Sequence, residues 1–331
     1  MRIGIFNNVR GGVQRFQPYA AGYTPQLDFI PLAYAPTLDN IQNLRKEHCD
    51  ALLYFNDHKE QPDFFKTLAD NGVKYLVTCS AGYDQFDLQA MKRYQLKGAN
   101  VPAYSPNAIA EYTVMIVLTL LRKLRVQCHR ILQHNFGIQG LKGRELRNMT
   151  VGIVGTGRIG RTTIECLSGF HPKEILAYSP HHHSATKATY VSLEELYKQA
   201  DVIIFHCAAT EDNYHMVNWD TLRLMKDGVV LVNAARGSLF DTKAVFESVV
   251  SGKIGALGLD VIEGEELLRK RYDMHCEAAL WLTQLLQYEN VIYTPHTAFY
   301  TDEAERNMSE TTVSNLYEYA TTGTCRNELV R

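Results

Sequence analysis

One short motif constrains this chain more than any other feature. Val151-Gly152-Ile153-Val154 reads as a strand, runs into Gly155-Thr156-Gly157-Arg158-Ile159-Gly160, and is followed by a helical pattern over 158–168. A G-x-G-x-x-G alone is a weak signal, but between a strand and a helix it carries a mechanism. Gly155 permits the tight turn, Gly157 has no Cβ and lets a pyrophosphate approach the backbone, and Gly160 lets helix and strand pack closely. The helix N-terminus adds unpaired N–H groups and partial positive charge. The pattern predicts a dinucleotide-binding βα unit, with a glycine-rich turn that holds no ligand as the alternative.

The 331 residues are enough for two domains, each with its own core. Over residues 1–100, strands are predicted at 2–6, 27–31, 51–55 and 75–78, and a helix over 64–71 closed by Gly72. A second series predicts strands at 150–154, 174–178, 202–205, 229–233, 256–261 and 291–293. Ser192 and Glu195 form a capping box for a helix over 192–199. Alternating strands and helices imply parallel sheets in two α/β domains, the second starting near residue 102. One long helix is predicted from Ala108 to about Leu132, with Glu111 early and Arg122, Lys123, Arg125 and Arg130 late, as the macrodipole favours. Its central run, 112–121, is too apolar for a lone surface helix, so it should pack between domains or subunits. That run is about half a membrane span, so no membrane partner is expected.

A formal net charge of −2 offers no basic field to nucleic acid. The seven cysteines are scattered and contain no C-x-x-C. They suggest a reducing, cytoplasmic setting without a disulfide framework or structural zinc. The N-terminus reads as a strand, not a signal peptide.

An acidic residue about 20 positions past the glycine motif would grip the ribose 2′-hydroxyl of NAD. Ser179 stands there instead, followed by Pro180 and His181-His182-His183. Without a carboxylate to repel a 2′-phosphate, the site opens to NADP as well as NAD. The histidines are otherwise a solvated loop, and adjacent loop residues rarely converge on a metal ion.

Three positions follow predicted strands of the second series: Arg236 after 229–233, Asp260 with Glu265 five residues on, and His296 after 291–293. In a doubly wound sheet these strand ends border the ligand crevice. The residue types fit reduction of a 2-oxo acid. Arg236 can fork onto a carboxylate, and His296 can carry a proton to the developing oxyanion. Glu265 would stabilise the imidazolium and fix the ring. Any one of these alone would read as a surface ion pair or a capping residue.

Taken together, Gly155–Gly160, Asn233-Ala234-Ala235-Arg236-Gly237, Gly258 to Glu265 and Thr294 to Thr301 resemble the signatures of the D-2-hydroxyacid dehydrogenases. Val101 to Glu111, with Tyr104, resembles the D-lactate dehydrogenase branch. The resemblance spans essentially the whole chain. It implies a Rossmann cofactor domain, 102–299, inserted in a flavodoxin-like substrate domain of 1–101 and 300–331. It implies His296 as acid/base, Glu265 as its partner and Arg236 as substrate anchor. The N–H groups of Ala81 and Gly82, with Tyr104, would hold the substrate carboxylate. Asp260 would lie beside the nicotinamide or its ribose. Cys207, Ala208 and Asn213, with Ala234, Ala235, Arg158, Ile159 and Ser179, would line the cofactor groove. It also implies a homodimer formed through the cofactor domains, using the apolar helix at 108–132.

Three departures stand out: Ser179 for an acidic residue, Cys79 where many relatives carry arginine, and Cys207-Ala208-Ala209 without the usual proline. Ser179 and the Glu263 to Glu266 run also resemble the dehydrogenases of vancomycin-resistance operons. By spacing from Ala81-Gly82, Phe55 should flank the substrate side chain, with Phe299 opposite. Two such rings would favour pyruvate, giving D-lactate. A larger 2-oxo acid, or a non-catalytic NAD(H)-binding regulator of the same fold, are the alternatives.

Overall fold

Two parallel sheets organise the chain. The computed structural model describes residues 1–330 apart from 43, 57–59, 184–186 and 272–275, and describes no side chains for 269–271. Residues Met1–Ser105 with Thr301–Arg331 form one compact unit and Pro106–Tyr300 a second, inserted one.

In the first unit, β1 (Arg2–Phe6), β2 (Asp28–Leu32), β3 (Ala51–Leu53), β4 (Tyr75–Val77) and β5 (Lys97–Ala99) lie in the order β2-β1-β3-β4-β5, every pair parallel. The flavodoxin-like order reverses between β1 and β3. Short apolar strands suit a sheet covered on both faces. Leu52 and Leu76 pack with Phe64, Phe65 and Leu68 on one face. Their neighbours Ala51, Leu53 and Val77 pack with Phe16, Val313 and Leu316 on the other. The last two come from the helix Asp302–Thr322, whose N-terminus is capped by Thr301 and carries Asp302, Glu303 and Glu305 in its first turn. Negative charge there suits the macrodipole.

In the second unit, β6 (Thr150–Val154), β7 (Glu174–Tyr178), β8 (Thr189–Tyr190), β9 (Val202–Phe205), β10 (Val229–Asn233), β11 (Ile254–Leu259) and β12 (Val291–Tyr293) lie in the order β12-β11-β10-β9-β6-β7-β8, again all parallel. This is the Rossmann order with one more strand at the β12 edge, and the order reverses between β6 and β9. Val151, Ile153, Val202, Ile204, Val230 and Val232 form one face with Ile116, Val117 and Leu120. Val154, Ile203, Phe205, Leu231 and Leu257 form the other.

The single helix expected over 108–132 is two, Pro106–Leu121 and Leu124–Leu132. Lys123 adopts a left-handed φ of 54°, which ends the first helix. The Leu121 carbonyl, freed there, accepts from Arg144 N at 3.0 Å. The Arg125 guanidinium donates to the carbonyls of Leu286 and Tyr288, both at 2.8 Å, and of Val291. Arg125 therefore serves other segments, whereas Arg130 stands in the last turn of the second helix, where its charge suits the macrodipole. The apolar face of the first helix is accounted for inside its own unit, where it covers β10, β11 and the helix after β6.

The strand expected at 256–261 is Ile254–Leu259, and 51–55 is the shorter Ala51–Leu53. Sequence patterns did not announce β5, β8 or the helices Gly12–Ala20 and Asp302–Thr322. All seven cysteines are free thiols. Among the described residues, no helix is long and apolar enough to cross a membrane, and no three His, Cys, Asp or Glu side chains are grouped as a metal ion would need.

Candidate active site

Several candidates of the second unit follow the carboxyl ends of strands. Gly155 follows β6, Ser179 β7, Cys207 and Ala208 β9, Ala234 to Arg236 β10, Asp260 β11 and His296 β12.

The glycine loop fits a dinucleotide pyrophosphate. Gly155 has φ +97°, and a Cβ there would lie 2.5 Å from Cys207 N. A Cβ on Gly160 would lie 2.0 Å from the Gly155 carbonyl, so both positions exclude a side chain. Gly157 differs: a Cβ would meet nothing within 4 Å. Its lack of a side chain leaves open space over the start of the helix Arg158–Ser168, whose N-terminus has no side-chain cap. Uncapped N–H groups beside an open cradle suit an anion. Arg158 is exposed and Ile159 half-buried at this helix start.

Ser179 is half-buried beside this loop. The segment after it is tied to the glycine motif through Tyr190, whose hydroxyl donates to Thr156 Oγ1 at 2.9 Å and accepts from His183 N at 3.0 Å. The His182 ring stacks on Tyr190, centroids 4.2 Å apart. Asn213 closes the turn after β9, donating to the Ala208 carbonyl at 2.8 Å and accepting from Thr210 N at 2.7 Å. Burial pushes the Cys207 thiol up to about 11. It is therefore an apolar, protonated group rather than a nucleophile.

His296 Nδ1 lies 2.7 Å from Glu265 Oε1, and the two side chains are 32% and 15% exposed. The carboxylate accepts a hydrogen bond from Nδ1–H, which fixes the ring's orientation and tautomer. His296 has φ +54°, a left-handed conformation costly for a residue with a Cβ. Asp260 holds it there. This buried carboxylate accepts from Thr294 Oγ1 at 2.7 Å, Thr297 N at 2.9 Å and Ala298 N at 3.0 Å. Asp260 thus braces the histidine loop, a role the expected place beside the nicotinamide did not include. The Phe299 ring lies edge-on to His296, centroids 6.2 Å apart.

Arg236 is half-buried, and its Nη1 donates to the Ala235 carbonyl at 2.9 Å. Asn233 is buried and shapes this turn, a role that sequence reasoning did not give it. It accepts from Ala235 N at 3.0 Å and donates to the Arg236 carbonyl at 2.9 Å. The one available signal was an asparagine ending an otherwise apolar strand.

In the first unit, the Ser80 carbonyl accepts from Val101 N at 3.0 Å, that of Ala81 from Asn100 Nδ2 at 2.7 Å, and that of Gly82 from Ser80 Oγ at 2.6 Å. The N–H groups of Ala81 and Gly82 meet no acceptor among the described residues. Phe55 is half-buried after β3, its carbonyl accepting from Asn8 Nδ2 at 2.7 Å. Tyr104 is also half-buried, its carbonyl accepting from Asn307 Nδ2 at 2.6 Å.

Residues 114–298 match the NAD binding domain of the D-isomer specific 2-hydroxyacid dehydrogenases. The chain belongs to that family. It is 40% identical over 321 residues to the aromatic 2-oxoacid reductase of Clostridium sporogenes (strain ATCC 15579), covering 96% of each protein. It is 38% identical over 289 residues to the D-lactate dehydrogenase of Escherichia coli (strain K12), covering 85% of this chain and 87% of that one. The D-lactate dehydrogenase from Aquifex aeolicus, solved with NAD and lactic acid, superposes with a TM-score of 0.87 at 29% identity, covering 99% of both chains. This member of the family is an NAD-binding oxidoreductase with D-2-hydroxyacid dehydrogenase activity.

Proposed function

We propose that this dehydrogenase interconverts pyruvate and D-lactate. The observation that carries the reading is the His296–Glu265 pair, an acid/base fixed in one tautomer. A bound nicotinamide dinucleotide supplies or accepts the hydride. The protein's own residues do the rest. Arg236 forks onto the substrate carboxylate. In the first unit, the N–H groups of Ala81 and Gly82, which meet no acceptor among the described residues, and Tyr104 are assigned to binding a substrate carboxylate. His296 Nε2 gives its proton to the oxygen that gains charge, and Glu265 offsets the imidazolium. We assign residues 1–101 and 300–331 as the substrate domain and 102–299 as the cofactor domain.

Phe299 beside His296 supports a small side chain on the substrate. An aromatic 2-oxo acid is the second reading, favoured by the Clostridium sporogenes relative. Relative turnover on pyruvate, a branched 2-oxo acid and phenylpyruvate separates them. Highest kcat/KM on pyruvate supports the first, and on phenylpyruvate the second.

NAD and NADP are both proposed as cofactors. Ser179 carries no charge to repel a 2′-phosphate, and His181 to His183 follow it. Parallel assays with NADH and NADPH test this. We also propose a cytoplasmic homodimer, supported by free cysteines and by the exposed apolar run Ile131, Leu132, Phe136 and Ile138. Light scattering of the purified chain tests the dimer.

A further inference from the structure

The acidic run at 263–266 divides its work. Glu265 faces His296, whereas Glu263 holds a different partner set. Its Oε2 lies 2.9 Å from His215 Nε2, and its Oε1 accepts from the Tyr214 hydroxyl at 2.9 Å. The rings of Tyr214 and His215 stack, with centroids 3.8 Å apart and planes 18° apart. The hydrogen bond to Glu263 pushes the Tyr214 hydroxyl up from its ordinary value, so it remains a donor. Between the two carboxylates, Gly264 takes φ +76° and lets the chain turn.

This cluster joins the three loops that follow the carboxyl ends of β9, β10 and β11 in the second sheet. His215, itself left-handed at φ +51°, donates its N–H to the Ser238 carbonyl at 2.9 Å. Gly237, next to Arg236, lies so close to residues 262–263 that a Cβ would come within 2.2 Å of the Ile262 carbonyl carbon. The loop from Cys207 to His215 contains the groove residues Ala208 and Asn213, and its far end is pinned by Glu263. No step of the reduction uses Glu263, Tyr214 or His215, yet holding a partly exposed carboxylate and two stacked rings in one geometry costs side-chain entropy.

We propose that Glu263 is a positioning residue that locks the 207–215 cofactor loop to the loop bearing Glu265, so that dinucleotide binding is set by the Glu263–His215–Tyr214 cluster. This rests on reading Cys207, Ala208 and Asn213 as groove residues. Loss of Glu263 removes two charge-assisted hydrogen bonds and frees the loop, with no direct loss at the acid/base.

The test is equilibrium binding of NADH and NADPH, followed by nicotinamide fluorescence, with thermal unfolding in parallel. Glu263→Ala weakens binding about tenfold, the scale of one lost charge-assisted hydrogen bond. KM for the 2-oxo acid changes less than Kd for the dinucleotide. Glu263→Gln recovers part of the loss, because its amide oxygen still accepts. The Glu263→Ala, His215→Ala double variant binds no worse than the poorer single variant, as expected of coupled groups. Tyr214→Phe removes one exposed hydroxyl without endangering the fold and weakens binding by a smaller factor. Wild-type affinity in Glu263→Ala and Tyr214→Phe, or strictly additive losses, overturns the proposal. Wild-type protein that binds neither dinucleotide overturns the groove reading itself, a separate result.

Discussion

The N–H of His296 donates to the carbonyl of Asp260 at 2.8 Å, so the residue proposed as the acid/base hangs from the end of the neighbouring strand. The Asp260 side chain then fastens the next two N–H groups, of Thr297 and Ala298. A strained histidine is thereby held by one buried carboxylate, and the ring meets Glu265 without searching for it.

Asp260→Asn should therefore harm both stability and rate. The amide offers one acceptor oxygen and turns an N–H toward a donor, which leaves a buried group unsatisfied at about 1–3 kcal/mol. The urea midpoint should fall accordingly, and kcat should fall further than dinucleotide affinity. An unchanged kcat would mean that the loop holds its shape without Asp260.

Glu265→Gln tests the pair itself. The variant keeps the shape but loses the charge that supports the imidazolium. A fall in kcat of about 10²-fold is expected, the lower range for general acid catalysis, with dinucleotide Kd unchanged. Titration of binding beside steady-state rates checks both halves.

Two glycines of one motif should respond in opposite ways. Gly157→Ala meets no atom in the free protein, so the unfolding temperature should stay near wild type while dinucleotide affinity drops. Gly160→Ala drives a methyl into the Gly155 carbonyl and should lower the unfolding temperature. Equal unfolding temperatures for the two would contradict the cradle geometry.

His206 predicts a dependence on pH. Its Nε2 pairs with Thr163 Oγ1 at 3.0 Å, and its buried Nδ1 has no partner among the described residues. Burial pushes its pKa down from 6.5 to about 4. The folded state therefore keeps the ring neutral where the unfolded chain takes up a proton. Its contribution is complete above the unfolded value of 6.5 and is lost as pH falls toward 4. The loss is roughly 3 kcal/mol at the bottom of that window. Urea unfolding of wild type and His206→Gln, at about pH 7 and about pH 4.5, should show a smaller acid loss in the variant.

Much of the second unit was legible in sequence because its signals are local. The strand–glycine–helix run, the Ser192–Glu195 capping box and the apolar runs ending at Asn233 and Tyr293 each declare themselves within a few residues. His296 and Glu265 were readable as types, although their 2.7 Å contact joins residues far apart in sequence. What stayed hidden depends on long-range packing. The break at Lys123 is set with the Arg144 N–H, some twenty residues on, bonded to Leu121, and nothing in the helical pattern announces it. The bracing role of Asp260 stayed hidden because its position after a strand says nothing of which N–H groups its carboxylate meets. β8 is two residues long and is held by pairing with β7 rather than by its own pattern.

The most direct test of the account is the configuration of the product. The purified chain is given pyruvate and reduced dinucleotide, and the hydroxy acid formed is resolved by chiral chromatography. D-lactate alone is the predicted result. L-lactate, a racemate, or failure to reduce pyruvate would contradict it.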